Sequence, residues 1–276
     1  MVSTEIFLFI PLLLIGLVII FYRRPDLIYN LLLVILHFMY SLYKLYLSIP
    51  LLFLRNRTPT CASQLSGDIK YLDKIPKHLA VMFWSDDIQE ERLIEAAQLC
   101  CWAWCFGVKT VSIYEPEGHL KEYIQLLQYH INTVSREFIS LEKILPTIQV
   151  TSPSSISSPI ENETNQSDLL VNLISRSDGR ARIVETTKSL AKDVIQEKIK
   201  YDDVNIQELD RRLKIFQIPE PQLLISFSSR IDLDGFPPWQ IHLTEIFHVP
   251  DNPNFSYSIF LQGLRKYSKC NQRFGK

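Results

Sequence analysis

From about residue 70 onward, short apolar segments alternate with segments of helical periodicity, and this alternation constrains the fold more than any other feature. The segments HLAVMFW (78–84) and VKTVSIYEPEG (108–118) have the apolar, β-branched character of buried strands, and an amphipathic helical stretch closed by Gly107 separates them. The same order recurs through PQLLISF (221–227) and a last helix at 256–270. The pattern predicts an α/β fold with a mainly parallel central sheet flanked by helices.

Two regions differ from this pattern. Residues 146–168 are rich in Ser, Pro, Thr and Asn, which predicts a flexible insertion within the α/β domain of residues 70–276. Residues 1–57 are mostly apolar and predict a membrane anchor.

The anchor contains two apolar stretches. Residues 6–22 carry no charge and reach about 25 Å as a helix, enough to cross a thin bilayer. Arg23 and Arg24 follow directly, so the positive-inside rule places that end in the cytosol. A cleaved signal peptide is the competing interpretation, but its basic leading region and small-residue cleavage site are missing.

The second apolar stretch, residues 27–54, contains a polar stripe at helical spacing. Its members are Asn30, His37, Ser41, Lys44 and Ser48. A stripe of this kind favours a helix that lies in the membrane interface or packs on another helix. A second span stays open as an alternative and would place the domain in the lumen.

Net charge, cysteine positions and one acidic segment limit the partners and metal sites that this chain is expected to have. The formal net charge of −1 gives no global basic field, so no nucleic-acid partner is expected. Three of the five cysteines lie in CCWAWC (100–105), which has no zinc-site spacing and predicts buried, reduced thiols on a core helix. Asp86 to Glu91 resemble an aspartate-rich magnesium motif, but acids that follow a strand are better explained as helix capping.

Residues 205–247 resemble the C-terminal half of the cis-prenyltransferases, the family of undecaprenyl and dehydrodolichyl diphosphate synthases. The family pattern is P-x-P-x-L-L-I-R-T-S-G-E-x-R-L-S-N-F-L-L-W-Q, followed shortly by a glutamate. The matching residues are Pro219, Pro221, Leu223, Leu224, Ile225, Phe236, Trp239, Gln240 and Glu245. Residues 77–84 and 107–118 are similar to the first two strands of the family.

Three departures from the family pattern affect the groups that bind diphosphate. Active members carry an aspartate after the first strand where this sequence has Trp84, and arginines where it has Ser226 and Asp232. A diphosphate carries about two to three negative charges that guanidinium groups match, so these changes remove attraction and add repulsion. The resemblance therefore implies a chain that is inactive alone. Glu245 matches a Mg²⁺-binding glutamate of active members, but without its companions a structural role at a subunit interface is expected.

The combination resembles the non-catalytic, Nogo-B receptor-like accessory subunits of eukaryotic dehydrodolichyl diphosphate synthase. In that subfamily a short R-x-G tail enters the active site of the catalytic partner, and the final residues NQRFGK fit it. The resemblance implies that Arg273 pairs with a phosphate of isopentenyl diphosphate or helps to position the Mg²⁺ environment. Gly275 would offer a backbone N–H at close range. A frayed chain end is the alternative for these residues taken alone.

The function implied is that of an activating subunit in a heteromer. It would tether a catalytic cis-prenyltransferase to the endoplasmic reticulum membrane with the soluble domain in the cytosol. The complex would add isopentenyl units in cis to farnesyl diphosphate for dolichol synthesis and protein glycosylation, with Mg²⁺ bound mainly by the partner. The alternatives are a membrane scaffold or receptor-like protein without a catalytic contribution, and a stand-alone prenyltransferase.

Overall fold

The computed structural model describes residues 25–55, 59, 61–83, 90–138, 145–152, 167–213, 220–228, 231–250 and 254–271. The chain divides into two compact units, residues 1–56 and 57–276. The described part of the first unit is helix α1 (Pro25–Arg55). The further helices are α2 (Ser66–Ile69), α3 (Glu90–Cys105), α4 (His119–Glu122), α5 (Ile124–Phe138), α6 (Arg180–Ile195), α7 (Ile206–Leu213) and α8 (Tyr257–Lys269). The strands are β1 (His78–Met82), β2 (Thr110–Tyr114), β3 (Ile148–Thr151), β4 (Leu169–Ile174), β5 (Leu223–Ser226) and β6 (Glu245–His248).

Helix α1 contains the second apolar stretch of the sequence. It begins at Pro25, a residue suited to the first turn, and Asp26 supplies an acidic side chain there. Its side chains from Tyr29 to Tyr43 are exposed within this unit. No helix in the described part of the chain is long and apolar enough to span a bilayer. The predicted span at residues 6–22 lies outside the described residues.

The sheet of the second unit has six strands among the described residues, in the order β3-β4-β2-β1-β5-β6, and every neighbouring pair is parallel. In the register, Val81 of β1 lies between Ile113 of β2 and Ile225 of β5. Every residue of β1 and β2 is buried, as expected for strands covered on both faces. The predicted parallel α/β architecture is confirmed.

The two faces of the sheet carry cores of different size. Leu79 and Val81 point into the larger cluster, which the apolar sides of α3, α5 and α8 complete. Ala80 and Met82 point to the opposite face, where a smaller cluster includes Phe236 from the loop after β5. Alternation along one strand therefore directs side chains into both cores.

The CCWAWC segment lies on α3 and packs into the larger core. The ring centroids of Phe255, Tyr257 and Phe260 lie 6.3, 5.4 and 6.0 Å from that of Trp102. Cys100 and Cys101 are fully buried and Cys105 is partly buried, so the prediction of buried thiols on a core helix is confirmed for the first two.

Burial makes the paired thiols of α3 unreactive. Desolvation raises the pKa of Cys101 to about 11, and it raises the pKa of Cys100 well above its ordinary value. We expect iodoacetamide at pH 8 to alkylate both thiols at least about 100-fold more slowly in the native chain than in urea-unfolded chain, because the thiolate is the nucleophile. Peptide mass spectrometry checks this. Equal rates in the two states would contradict the burial of these thiols.

Strand β3 lies inside the range predicted as a flexible insertion, so that prediction is wrong for residues 148–151. Ile148 is buried, and β3 pairs in parallel with β4, Val150 lying opposite Val171. The Asp168 carboxylate accepts a hydrogen bond from the Thr147 N–H at 2.9 Å, which ties the two strands together at their start. Residues 153–166 of the predicted insertion lie outside the described residues.

Leucines and isoleucines at helical spacing over residues 119–145 predict one long helix, but the structure describes two helices there, α4 and α5. Tyr123 separates α4 from α5 with φ −101° and ψ 23°, outside helical values. Contacts outside α5 hold α4, because Lys121 bonds to Asp178 and the Leu120 N–H donates to Glu115 at 3.4 Å. The periodicity of the sequence cannot reveal contacts of this kind, which join α4 to residues outside the helix. Residues 139–144 lie outside the described residues.

Helix α8 packs directly on the sheet. Ser256 caps its first turn by accepting a hydrogen bond from the Ile259 N–H. A Cβ at Gly263 would lie 2.6 Å from Ile225 Cδ1 and 3.1 Å from Phe247 Cδ1. The absence of a side chain at Gly263 therefore lets α8 approach β5 and β6 closely.

Candidate functional site

The carboxyl ends of the strands define the edge at which sheets of this kind bind ligands. Strands β4, β2, β1 and β5 are neighbours in that order, so the residues that follow them lie along one edge. Trp84, which the resemblance places after β1, lies outside the described residues.

The carboxylate that follows β2 is turned inward. Glu115 is 1% exposed, and Oε1 accepts a hydrogen bond from the Glu117 N–H at 2.8 Å. The other oxygen accepts from the Leu120 N–H at 3.4 Å, and His119 Nδ1 lies 3.9 Å from Oε1. Glu115 therefore shapes the β2–α4 turn.

Arg176, which follows β4, joins three loops. Its Nη1 lies 3.0 Å from Glu117 Oε1, and its Nη2 lies 2.7 Å from Asp234 Oδ2. Both terminal nitrogens of this half-exposed arginine therefore contact carboxylates. The hydrogen bond that this guanidinium donates to the Asp234 carboxylate raises its pKa. The Tyr114 hydroxyl donates to the Asp234 carbonyl at 2.5 Å, and burial raises the pKa of Tyr114.

A second ion-pair group surrounds Asp178, which is 5% exposed. Lys121 bonds to this carboxylate, and Arg182 lies 4.0 Å from its other oxygen. The Ser175 N–H donates to it at 2.9 Å. Three cations near the edge, on Lys121, Arg176 and Arg182, are thus each directed at an acid of the same chain, which weakens their attraction for an added anion.

The two described positions at which the family carries arginine have other partners here. Ser226 ends β5, is 2% exposed, and its hydroxyl lies 3.2 Å from that of Ser228. Asp232 is exposed, and its Oδ1 accepts a hydrogen bond from the Asp234 N–H at 2.9 Å. A small buried hydroxyl and an exposed carboxylate therefore occupy the positions at which the resemblance expects phosphate-binding arginines.

Glu245, the first residue of β6, contacts the end of α8. Its Oε1 accepts a hydrogen bond from Cys270 Sγ at 2.9 Å, and this bond is the main cause of the raised pKa of the Cys270 thiol. The described residues include no group of three or more His, Cys, Asp or Glu side chains that could hold a metal ion. The Glu245 carboxylate instead has a contact within its own chain. Arg273 and Gly275, the predicted tail residues, lie outside the described residues.

An apolar groove lies at a different place in the fold. It has a volume of about 630 Å³ between α6 and α7, and Leu190, Val194, Ile206 and Leu209 contribute to its lining. Helix α6 starts beside the carboxyl end of β4, and the groove follows its last turns. It therefore lies along the opposite end of α6 from the residues that follow β4.

Sequence reasoning missed the contact between the loops after β4 and β5. A Cβ at Gly179 would lie 2.3 Å from the Gly235 carbonyl oxygen, and Gly235 has φ +81°. The sequence signals a turn in each of these loops, because a glycine directly follows an aspartate in both SDG (177–179) and LDG (233–235). Their proximity, and hence the Arg176–Asp234 pair, follows only from the strand order.

Comparison with known proteins agrees with this architecture. The model of the family described as "Putative undecaprenyl diphosphate synthase" matches residues 121–275, more than half of the chain. Lavandulyl diphosphate synthase from Lavandula x intermedia has a similar structure, with a TM-score of 0.52 and 19% identity over 73% of this chain and 98% of that chain. That likeness shows a shared fold.

Two relatives are similar in sequence over about three quarters of the chain. The chain is 37% identical over 211 residues to "Dehydrodolichyl diphosphate synthase complex subunit nus1" of Schizosaccharomyces pombe, covering 75% of this chain and 80% of that protein. It is 29% identical over 216 residues to "Dehydrodolichyl diphosphate synthase complex subunit NUS1" of Homo sapiens, covering 76% and 70%. The chain therefore belongs to the cis-prenyltransferase family, and its resemblance to the complex subunits of that family is confirmed.

Proposed function

We propose that this chain is the non-catalytic, activating subunit of a dehydrodolichyl diphosphate synthase complex. The observation that carries the proposal is the pairing of cis-prenyltransferase membership with Ser226 at the end of β5, where the family pattern has an arginine. Relatives that are named as subunits of such a complex support it.

Electrostatics supports a chain that is inactive alone. Binding a diphosphate at the carboxyl edge would require cations that are free to meet it. Asp232 adds a negative charge there, and Arg176 already bonds to Glu117 and Asp234. Turnover then depends on the anion-binding groups and the Mg²⁺ site of a catalytic cis-prenyltransferase subunit.

In this proposal, the last residues of the chain take part directly in the reaction of the complex. Arg273 would enter the partner's active site and pair with a phosphate of isopentenyl diphosphate, for which a guanidinium fork is well suited. Gly275 would bring a backbone N–H to the same group, because no side chain obstructs the approach. The residue pair completes a site that would add isopentenyl units in cis to farnesyl diphosphate.

The surface assigned to the partner is the β6 edge. Strand β6 is the outermost strand on its side of the described sheet, and an edge strand is a common place for contact with a partner chain. Leu243 and Ile246 are 49% and 40% exposed beside it. An apolar sheet edge of this kind suits a subunit interface.

Membrane attachment is the second part of the proposed role. Residues 6–22 would span the endoplasmic reticulum membrane, α1 would lie at its surface, and the α/β unit would face the cytosol. An amphiphilic polyprenyl product gives a reason for synthesis at a membrane. Localisation of a tagged full chain, with protease protection of each end, tests this topology.

Co-expression with the catalytic subunit of the same organism tests the main proposal. We expect the two chains to co-purify, and the complex to make polyprenyl diphosphate at least about tenfold faster than the catalytic subunit alone. The full chain alone should give no product with farnesyl and isopentenyl diphosphates. Product from this chain alone would contradict the proposal and favour a stand-alone enzyme.

A further inference from the structure

The last turn of α8 and Cys270, the residue after it, contact a segment almost 200 positions earlier in the chain. The Asp73 N–H donates to Ser268 Oγ at 2.6 Å, and the Lys74 ammonium donates to the Cys270 carbonyl. The same ammonium lies 4.6 Å from the centroid of the Tyr267 ring. These contacts hold the last turn of the helix from one side.

A second contact holds the same point from the sheet. The Cys270 thiol donates to Glu245 Oε1 at 2.9 Å, and Glu245 begins a strand that is hydrogen-bonded to β5. Cys270 is therefore joined through its side chain to the sheet and through its carbonyl to Lys74. We call Lys74, Glu245 and Cys270 the tail clamp.

The tail clamp acts at the residue where the chain leaves the helix. Cys270 has extended backbone angles of φ −75° and ψ 129°, and its N–H bonds to the Tyr267 carbonyl at 3.0 Å. Fixing the side chain and the carbonyl of one residue fixes the orientation of the next peptide unit. Arg273 follows three residues later, within about 10 Å of extended chain, so the orientation of Cys270 limits where its guanidinium can reach.

We propose that the tail clamp positions Arg273 for the partner's active site, and that Lys74 and Glu245 are positioning residues for the reaction of the complex. This inference rests on the proposed function, in which Arg273 reaches the substrate diphosphate. Holding the departure point before the subunits meet reduces the conformational entropy that the tail loses on entry. The carboxylate that matches a metal-binding glutamate of active relatives thereby serves the tail.

The test uses the full chain in complex with its catalytic subunit. Cys270→Ala and Glu245→Gln are each expected to lower polyprenyl synthesis about 10- to 100-fold, because small displacements of a group that contacts substrate have effects of this size. Cys270→Ser keeps a donor for Glu245 and should lose less. Co-purification and a melting temperature within about 2 °C of wild type are expected for every variant.

A matched control uses another thiol of the chain. Cys61 is partly exposed, and its Sγ lies 3.1 Å from Ser63 Oγ. Cys61→Ala removes a thiol with a similar hydrogen bond but leaves the end of α8 unchanged, so wild-type turnover is expected. Loss of complex formation in Cys270→Ala or Glu245→Gln would overturn the positioning role, because the contact would then serve assembly.

Combination with Arg273→Ala separates positioning from a structural role. If the tail clamp acts through Arg273, adding Cys270→Ala to Arg273→Ala should cause no further loss of turnover, whereas an additional loss of similar size would overturn the inference. If Cys270→Ala and Glu245→Gln each keep wild-type turnover while Arg273→Ala loses it, the positioning role of the tail clamp is overturned and the proposed function is unaffected. Wild-type turnover in Arg273→Ala itself would instead remove the proposed function.

Discussion

Replacing Arg273 with alanine is expected to lower the polyprenyl synthesis turnover of the complex about 100-fold while the subunits still co-purify. The reason is that a guanidinium aimed at a diphosphate stabilises negative charge that grows on the leaving group, and alanine leaves that charge without its partner. Arg273→Lys keeps the charge but loses the planar fork, so an intermediate loss is expected. Steady-state assays with farnesyl and isopentenyl diphosphates measure kcat and KM for each variant.

Lys269→Ala is the control for this substitution. Lys269 is an exposed cation in the last turn of α8 and lies four residues before Arg273. Its removal changes the net charge equally, so unchanged turnover would show that position, and not total charge, is responsible for the Arg273 effect. Unchanged turnover in Arg273→Ala would leave the scaffold interpretation, in which the fold serves only as a binding surface.

The second large effect is expected on stability. Gly179→Ala should destabilise the folded α/β unit by about 3 kcal/mol, because the new Cβ would lie 2.3 Å from the Gly235 carbonyl oxygen and 3.2 Å from that of Arg176. Both neighbours are backbone atoms that cannot rotate away. The loops after β4 and β5 must therefore separate, which strains the Arg176–Asp234 ion pair between them.

Urea-induced unfolding of the full chain measures this free energy. Gly67→Ala serves as the matched control, because an added Cβ at Gly67 would meet no atom within 4 Å. The control is expected to unfold near the wild-type urea concentration. Similar midpoints for the two variants would show that the close approach of the two loops is absent in solution.

The sequence was sufficient to predict those helices and strands whose apolar residues recur at a regular spacing. Strand β1, helix α3 and helix α8 each match a predicted segment, because burial on both faces of a sheet or on one side of a helix leaves a periodic pattern. It was insufficient for β3, whose four residues stand beside a Ser/Pro-rich stretch and gain their structure by pairing with β4. Pairing between strands is a tertiary effect that local composition does not contain.

The candidate site was predictable only in part for the same reason. Residue matching located Ser226 and Asp232, and the structure places both at the carboxyl end of β5 or in the loop after it. The bonds from Arg176 to Asp234 and from Cys270 to Glu245 join residues 58 and 25 positions apart. Those contacts depend on strand order and on the packing of α8, so no local motif could have predicted them.

The glycine that lets α8 rest on β5 and β6 has a mechanical consequence. With no side chain at Gly263, the side chains of Ile225 and Phe247 set how closely and at what angle α8 lies on β5 and β6. A bulkier side chain at Ile225 or Phe247 would tilt the helix and change the direction of its last turn. The packing of two strands therefore influences the direction in which the chain leaves α8.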